Sequence, residues 1–207
     1  MIDVALASED ALSEAIGLRL LAELPVSVRP APLLRKDGFG YLRSRMENWR
    51  QLAQRQFVLI LTDLDQVTCP AELRAAWLGS APPPSKLMLR IAVREVEAWL
   101  LADHEAVRRL IGTKGILPPD PDLLPDPKQY LLRIAKLATR QVRDDLVKEI
   151  GAVTSQGIGY NNRLTNWVRS DWSPERAADR SPSLRRTRLR LSEMAQRLEG
   201  PAPSVLT

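Results

Sequence analysis

Apolar residues in the first half of the chain form short continuous runs that alternate with longer stretches of helical spacing. The runs are IDVALA at 2–7, VSVRP at 26–30, FVLILT at 57–62 and LMLRIAV at 87–93. Amphipathic stretches lie between them at 10–24, 41–56 and 70–78; apolar residues recur there at helical spacing. FVLILT has no polar alternation, which is typical of a central parallel strand buried on both faces. The pattern predicts an α/β fold, with a parallel sheet flanked by helices.

The second half has a different pattern, because helical periodicity replaces the strand signals after a segment rich in proline and aspartate. Helices are predicted at 127–150, 161–169 and 182–198. We therefore expect an α/β domain over 1–112, a Pro-rich linker over 113–126, and a basic α-helical extension over 127–207 that packs on the domain.

Charge is divided unevenly between the two halves of this 207-residue chain. Its formal net charge is +5, and residues 127–207 hold 15 basic and 8 acidic side chains, whereas residues 1–126 hold 15 and 17. A basic half suits phosphate contacts, although a solvated helix face explains such a surplus equally well. Five basic residues are predicted to contact nucleic acid: Arg35, Lys36, Arg43, Arg185 and Arg186.

Several classes of protein are excluded by what the sequence lacks. One cysteine, Cys69, and one histidine, His104, exclude an internal disulfide and zinc sites rich in these ligands. No P-loop motif is present. No apolar run approaches the roughly 18 residues that span a bilayer, and the amino terminus has no basic signal region. We expect a cytoplasmic protein that does not associate with membranes.

Acidic residues follow three of the predicted strands at the points where those strands end. They are Glu9 after the first run, Asp63 and Asp65 after FVLILT, and Glu95 and Glu97 after LMLRIAV. Open α/β sheets bind ligands at the carboxyl ends of their strands. Carboxylates are preferred ligands of hard cations, and the spacing of Asp63 and Asp65 places both on one side of the chain. The sequence therefore predicts a site for Mg²⁺ or Mn²⁺.

These acidic residues also have structural alternatives. Asp63 and Asp65 could form a strand-end turn or a helix cap, and Glu9 could be a first-turn acid favoured by the helix dipole. Asp10 is expected to be the N-cap of the helix at 10–24, and Asp103 is expected to cap a helix at 104–111. The polar segment from Gly157 to Asn162 is interpreted either as a turn and N-cap or as a functional segment that lines the site or docks a partner.

Four segments carry a more specific pattern: LASEDALSEAIGLRLL, VLILTDLDQVTCP, RIAVREVEAWLLAD and GYNNRLTNWV. Together they resemble a family of small bacterial Toprim-like proteins related to the OLD-family nucleases. The resemblance implies a Toprim-like, Rossmannoid sheet in which Glu9 is a metal ligand or general base and Asp63 and Asp65 bind the metal. Glu95 and Glu97 match positions where OLD-type nucleases place acids that support a second metal.

The resemblance also has gaps. Asp10 replaces the usual glycine after the Toprim glutamate, and no lysine can be assigned to the catalytic position, for which Lys86, Lys114 and Lys128 are candidates.

The resemblance implies a Mg²⁺-dependent nuclease, an effector of anti-phage defence encoded beside an ABC- or SMC-like ATPase. Two alternatives are a catalytically degenerate Toprim subunit that regulates or binds such an ATPase, and another Mg²⁺-dependent phosphoryl-transfer enzyme. The sequence leaves open a homo-oligomer and the choice between DNA and RNA.

Overall fold

The computed structural model describes residues 1–35 and 40–199. Its main sheet has four parallel strands in the order β2-β1-β3-β4. The strands are β1 (Ile2–Ser8), β2 (Val28–Arg35), β3 (Phe57–Asp63) and β4 (Leu87–Ala92). The predicted α/β fold with a parallel sheet flanked by helices is confirmed. Lys36, one of the predicted nucleic-acid contacts, lies outside the described residues.

Six helices belong to the described part of the first half of the chain. They are α1 (Ala11–Ala22), α2 (Tyr41–Ser44), α3 (Met46–Arg55), α4 (Pro70–Leu78), α5 (Val96–Ala102) and α6 (His104–Ile111). A short 3₁₀ helix, Pro121–Leu123, precedes the second half. Its helices are α7 (Pro127–Ala135), α8 (Arg140–Leu146), α9 (Tyr160–Ser170), α10 (Pro174–Ala178) and α11 (Pro182–Glu199). Among the described residues, no helix combines the length and the apolar character that crossing a bilayer requires.

Alternate side chains of the central strand β3 enter two separate hydrophobic cores. Leu59 and Leu61 face α1, α5 and helices of the second half, whereas Val58 and Ile60 face α3 and α4. All four are essentially inaccessible to solvent, and full burial stabilises the fold by roughly 1.5–3 kcal/mol per side chain of this kind. The prediction that this strand is buried on both faces is confirmed.

The helices of the second half pack into the same core as α1 and α5. Trp99 of α5 donates from Nε1 to Ser183 Oγ, and Trp172 donates from Nε1 to the carbonyl oxygen of Trp99. Both indoles are fully buried. The connecting segment 113–126 contacts the start of α11, because Asp122 accepts hydrogen bonds from Ser181 Oγ and from the backbone N–H of Ser183.

One part of the predicted helical half is wrong. The stretch 127–150 was expected to be a single helix, but it contains α7, α8 and the first strand of an antiparallel hairpin. The hairpin comprises β5 (Val147–Ile150) and β6 (Val153–Gln156), which turn at Gly151 with a positive φ of 59°. Val147, Ile150 and Val153 are β-branched, which favours strand over helix.

Candidate active site

The predicted acidic residues follow the carboxyl ends of three adjacent strands. Glu9 comes one residue after β1, and Asp63 is the last residue of β3. Glu95 is the N-cap residue of α5, which follows β4, and Glu97 lies in the first turn of that helix. Because β1, β3 and β4 are parallel neighbours, these residues are brought to one edge of the sheet.

Asp63 links the central strand to the start of α5. Its Oδ1 accepts a hydrogen bond of 2.9 Å from the backbone N–H of Val96. Burial is the main reason that the pKa of Asp63 is well above its usual range, and the charges of Glu97, Asp10 and Asp65 raise it further. The carboxylates of this edge therefore interact with one another electrostatically.

Glu97 is the most buried carboxylate of the group, with 2% of the residue exposed. Tyr160 Oη donates a hydrogen bond of 2.8 Å to its Oε1, and Lys128 Nζ lies 3.6 Å from the same oxygen. Its other oxygen, Oε2, has no hydrogen-bond partner among the described residues. Burial raises the pKa of Glu97 to about 7, although Lys128 acts in the opposite direction.

Lys128 also binds Glu95. Its Nζ lies 3.4 Å from Glu95 Oε1, and its backbone N–H donates to Glu95 Oε2 at 2.9 Å. Burial alone would lower the pKa of Lys128, but Glu97, Glu95 and Asp63 outweigh that effect and raise it above its ordinary value. The lysine therefore stays charged between the carboxylates.

The other two candidate lysines are not placed at this edge by any contact. Lys86 precedes β4, at the opposite end of that strand, and its Nζ donates to the carbonyl oxygen of Arg55. Lys114 is exposed in the loop after α6. Of the three candidates, Lys128 is the one whose ammonium group contacts the acidic residues.

Glu9 and Asp65 occupy the outer part of the site. Thr62 Oγ1 donates a hydrogen bond of 2.9 Å to Glu9 Oε1. Burial raises the pKa of Glu9, Thr62 opposes the rise, and the charges of Asp65 and Asp10 add to it. Asp65 is exposed and has a positive φ of 50° in the turn after β3.

The two aspartates that were expected to be helix caps are confirmed as caps. Asp10 accepts a hydrogen bond of 2.7 Å from the backbone N–H of Ser13, at the start of α1. Asp103 accepts one from Ala106 at the start of α6, and it also binds Arg176 through two nitrogens.

Tyr160 is a residue of the site that the sequence did not single out by chemistry. The signal lay in the segment GYNNRLTNWV, for which a place in the site was one of the interpretations left open. Gly159 is the N-cap of α9, so the turn interpretation also holds. Gly157 and Gly159 pack against Asp145 with no room for a Cβ, and this close approach sets the start of the helix that carries Tyr160.

The donor set can be compared with what a metal ion would need. The described residues contain no group of three or more His, Cys, Asp or Glu side chains arranged to hold a metal ion. The chemistry of the site nevertheless suits a hard divalent cation, because its donors are carboxylate oxygens, the pKa values of Glu9, Asp63 and Glu97 are raised, and one buried oxygen of Glu97 has no partner among the described residues. Positive charge placed there would relieve their mutual repulsion.

The predicted nucleic-acid contacts are spread over the molecule. Arg35 pairs with Glu14 at 3.3 Å, and Arg43 is exposed on α2. Arg185 donates to the carbonyl oxygens of Ala178 and Asp179, so its guanidinium is used within the fold. Arg186 lines a groove beside β4.

Fold and site together define an α/β protein with an acidic, lysine-containing cluster at the carboxyl edge of a four-stranded parallel sheet. Comparison of the chain with protein-family models, with curated proteins and with solved structures finds no significant match. The relationship to Toprim and OLD-family proteins therefore stays a prediction from the sequence segments.

Proposed function

We propose that this protein is a Toprim-type, Mg²⁺- or Mn²⁺-dependent nuclease that cleaves phosphodiester bonds in nucleic acid. The observation that carries the proposal is the convergence of Asp63, Glu97 and Lys128 where parallel strands end. Glu9 is linked to the same edge through Thr62. Acids that bind a cation, together with a fixed lysine, are the groups that phosphoryl transfer uses to stabilise charge.

Each residue would have a distinct task in this reaction. Glu9, Asp63 and Asp65 would hold the cation, with Glu95 and Glu97 as further acids. A divalent ion bound there supplies positive charge that polarises a phosphate and acidifies a water molecule. As an alternative to binding the cation, Glu9 would accept the proton of the attacking water, and its raised pKa makes it a stronger base than an ordinary glutamate. Lys128 holds positive charge at Nζ for the phosphate oxygens.

The sequence resemblance supplies the biological setting of the proposal. It points to an effector of anti-phage defence that is encoded beside an ABC- or SMC-like ATPase. The contacts within this chain do not bear on that partner, so the setting rests on the four sequence segments alone.

A second candidate function is a catalytically degenerate Toprim subunit that regulates or binds an ATPase. One observation favours it: the ammonium group of Lys128 already lies within 3.6 Å of both Glu95 and Glu97. An internal cation in that position can take the place of a metal ion and leave the acids structural.

A cleavage assay separates the two functions. The purified protein is incubated with plasmid, single-stranded DNA and tRNA in Mg²⁺ or Mn²⁺, beside Asp63→Asn and the control Asp144→Asn. Asp144 is an exposed acid that pairs with Arg140 and Arg143 on α8. We expect cleavage by the wild type and the control, and a loss of about 100-fold or more for Asp63→Asn.

Two outcomes would contradict the proposal. Undiminished cleavage by Asp63→Asn would reject the assigned site. No cleavage by the wild type, either alone or with the ATPase encoded beside it, would favour the degenerate subunit.

A further inference from the structure

A groove runs along β4, the outermost strand on one side of the main sheet. It is lined by β4 and the residues before it, by Arg74 of α4, and by α11. Its volume is about 770 Å³. Because β4 is the last strand of the sheet, the groove lies where no further strand covers the edge.

The groove is strongly basic. Among the described residues it is lined by six cations and one acid: Arg74, Lys86, Arg90, Arg186, Arg190, Arg197 and Glu193. Glu193 pairs with Arg190 at 2.7 Å. The side chains of Arg74, Arg186 and Arg197 form no hydrogen bond or ion pair with any part of the chain that the structure describes. The groove therefore contains guanidinium groups that the fold itself leaves without a counter-charge.

Arg90 lies in the floor of this groove, held by Thr187. Its Nε donates to Thr187 Oγ1 at 3.3 Å, and Thr187 is fully buried. Burial, as the largest cause, and the guanidinium groups of Arg190, Arg74 and Arg186 together lower the pKa of Arg90 to about 10. Gathering like charges around a half-buried arginine costs free energy, and an anion in the groove would offset that cost.

The groove continues toward the acidic cluster. A smaller cavity of about 150 Å³ shares Arg74, Arg90 and Arg186 with it and reaches Val93 and Pro70. Val93 stands two residues before Glu95, and Pro70 begins α4 shortly after Asp65. The basic surface thus follows β4 toward the carboxyl ends of the strands, where the acidic residues lie.

We infer that this groove, between β4, α4 and α11, binds the phosphate backbone of a single strand of nucleic acid and leads it to the acidic cluster. The inference rests on the proposed function for where the strand goes, while binding itself can be measured without cleavage. Arg74, Arg90 and Arg186 form the centre of the track, and Lys86, Arg190 and Arg197 its outer end.

The dimensions and charge favour a strand over a small anion. The stretch from Lys86 to Val93 extends over roughly 20 Å at strand geometry, and its cations are distributed along that length. One phosphate could neutralise only part of them. Among the described residues, the lining has a single aromatic side chain, that of Phe57, which is buried, so base stacking contributes little. Binding should therefore be insensitive to base sequence and strongly dependent on salt.

The test is fluorescence anisotropy with labelled 20-nucleotide oligo(dT) and oligo(rU) in EDTA, so that cleavage cannot contribute. The variant is Arg74→Ala with Arg186→Ala, and the matched control is Arg140→Ala with Arg169→Ala, which removes the same charge from exposed positions outside the groove. We expect Kd to rise at least about fivefold for the groove variant with both oligonucleotides, with a shallower salt dependence, and to stay within about twofold for the control. Thermal denaturation checks that both variants fold.

Three results would overturn the inference. Equal losses in the groove and control variants would mean that binding follows net charge alone. Competition by inorganic phosphate beyond the effect of sodium chloride at the same ionic strength would identify a small-anion site. Equal binding of a 20-base-pair duplex would exclude a track for one strand. Because the binding assay contains EDTA, failure of the nuclease proposal would appear only in the cleavage assay and would leave this measurement unaffected.

Discussion

At the scale of single residues, the site contains one carboxylate, Glu97, that is buried more deeply than carboxylates usually are. Glu97 illustrates the balance, because Tyr160 and Lys128 both contact its Oε1 and yet burial raises its pKa to about 7. Phosphodiester cleavage uses such poised acids, since a pKa near neutrality allows a group to hold or release a proton.

The raised pKa of Glu97 gives an expectation for stability against pH. The native state keeps a proton on Glu97 that the unfolded chain releases above its ordinary pKa of 4.5. The free energy of unfolding should therefore fall as pH rises from 4.5 to about 7, by about 3 kcal/mol from this residue. Glu97→Gln removes the titration but keeps an oxygen for Tyr160, so the fall between pH 5 and pH 8 should be smaller.

Urea denaturation at the two pH values measures this difference. The control is Glu105→Gln, whose glutamate is exposed on α6 and pairs with Arg109; its pH dependence should match the wild type. An unchanged pH dependence in Glu97→Gln would show that Glu97 is not the titrating group.

Some contacts of single residues could be predicted from the sequence, and others could not. Asp10 and Asp103 could be recognised as caps, because a cap is a local hydrogen bond to a residue three positions ahead. Lys128 could not be chosen from three candidate lysines, because its place depends on α7 lying beside the start of α5, more than thirty residues earlier. Tyr160 is farther still from Glu97 in the chain, and no local sequence pattern predicts the contact between them.

At the scale of elements, α6 and α10 are joined by one buried carboxylate. Asp103 is completely buried, caps α6, and accepts hydrogen bonds from the Ser173 N–H and from two nitrogens of Arg176. Replacing it with alanine leaves Arg176 and the Ser173 N–H without their acceptor.

We expect Asp103→Ala to lower the free energy of unfolding by about 3–5 kcal/mol, measured by urea denaturation. Glu105→Ala, at an exposed position two residues away, should change it by less than about 1 kcal/mol; equal effects would contradict a role for the buried pair.

Elements with strong local signals were predicted well. The bounds of α4 and α6 agree with the predicted 70–78 and 104–111, because proline begins one helix, aspartate caps the other, and glycine follows both. The hairpin at 147–156 was missed, since the preceding helical pattern runs into it without a break. Helix α10 was also missed, because five residues are too few to show a helical periodicity of apolar positions.

At the scale of the whole molecule, the α/β half and the helical half share one hydrophobic core. Trp172, Leu164 and Leu184 belong to the same buried cluster as Leu6 and Leu59. The sequence predicted that the second half packs on the first, but charge and periodicity could not show that β1 and β3 complete their core with residues from α9 and α11. The acidic cluster depends on the same packing, because Lys128 and Tyr160 belong to the second half.

This shared core leads to an expectation about cooperativity. Without residues 127–207, the cluster around Leu6 and Leu59 would lose Trp172, Leu164 and Leu184, and each exposed core side chain costs roughly 1.5–3 kcal/mol. That loss is comparable with the whole stability of a typical domain, about 5–15 kcal/mol.

We therefore expect the full chain to unfold in one transition, coincident by far-UV circular dichroism and by tryptophan fluorescence. A fragment of residues 1–126 should lack a cooperative transition in urea. Trp49 of α3 belongs to the other core and Trp77 of α4 packs against it, so Trp49→Phe with Trp77→Phe leaves fluorescence from Trp99, Trp167 and Trp172, which belong to the shared core. Two separate transitions, or a fragment that unfolds cooperatively, would show that the halves are independent folding units. The sheet would then be stable without the helical half, which would contribute only Lys128 and Tyr160 to the site.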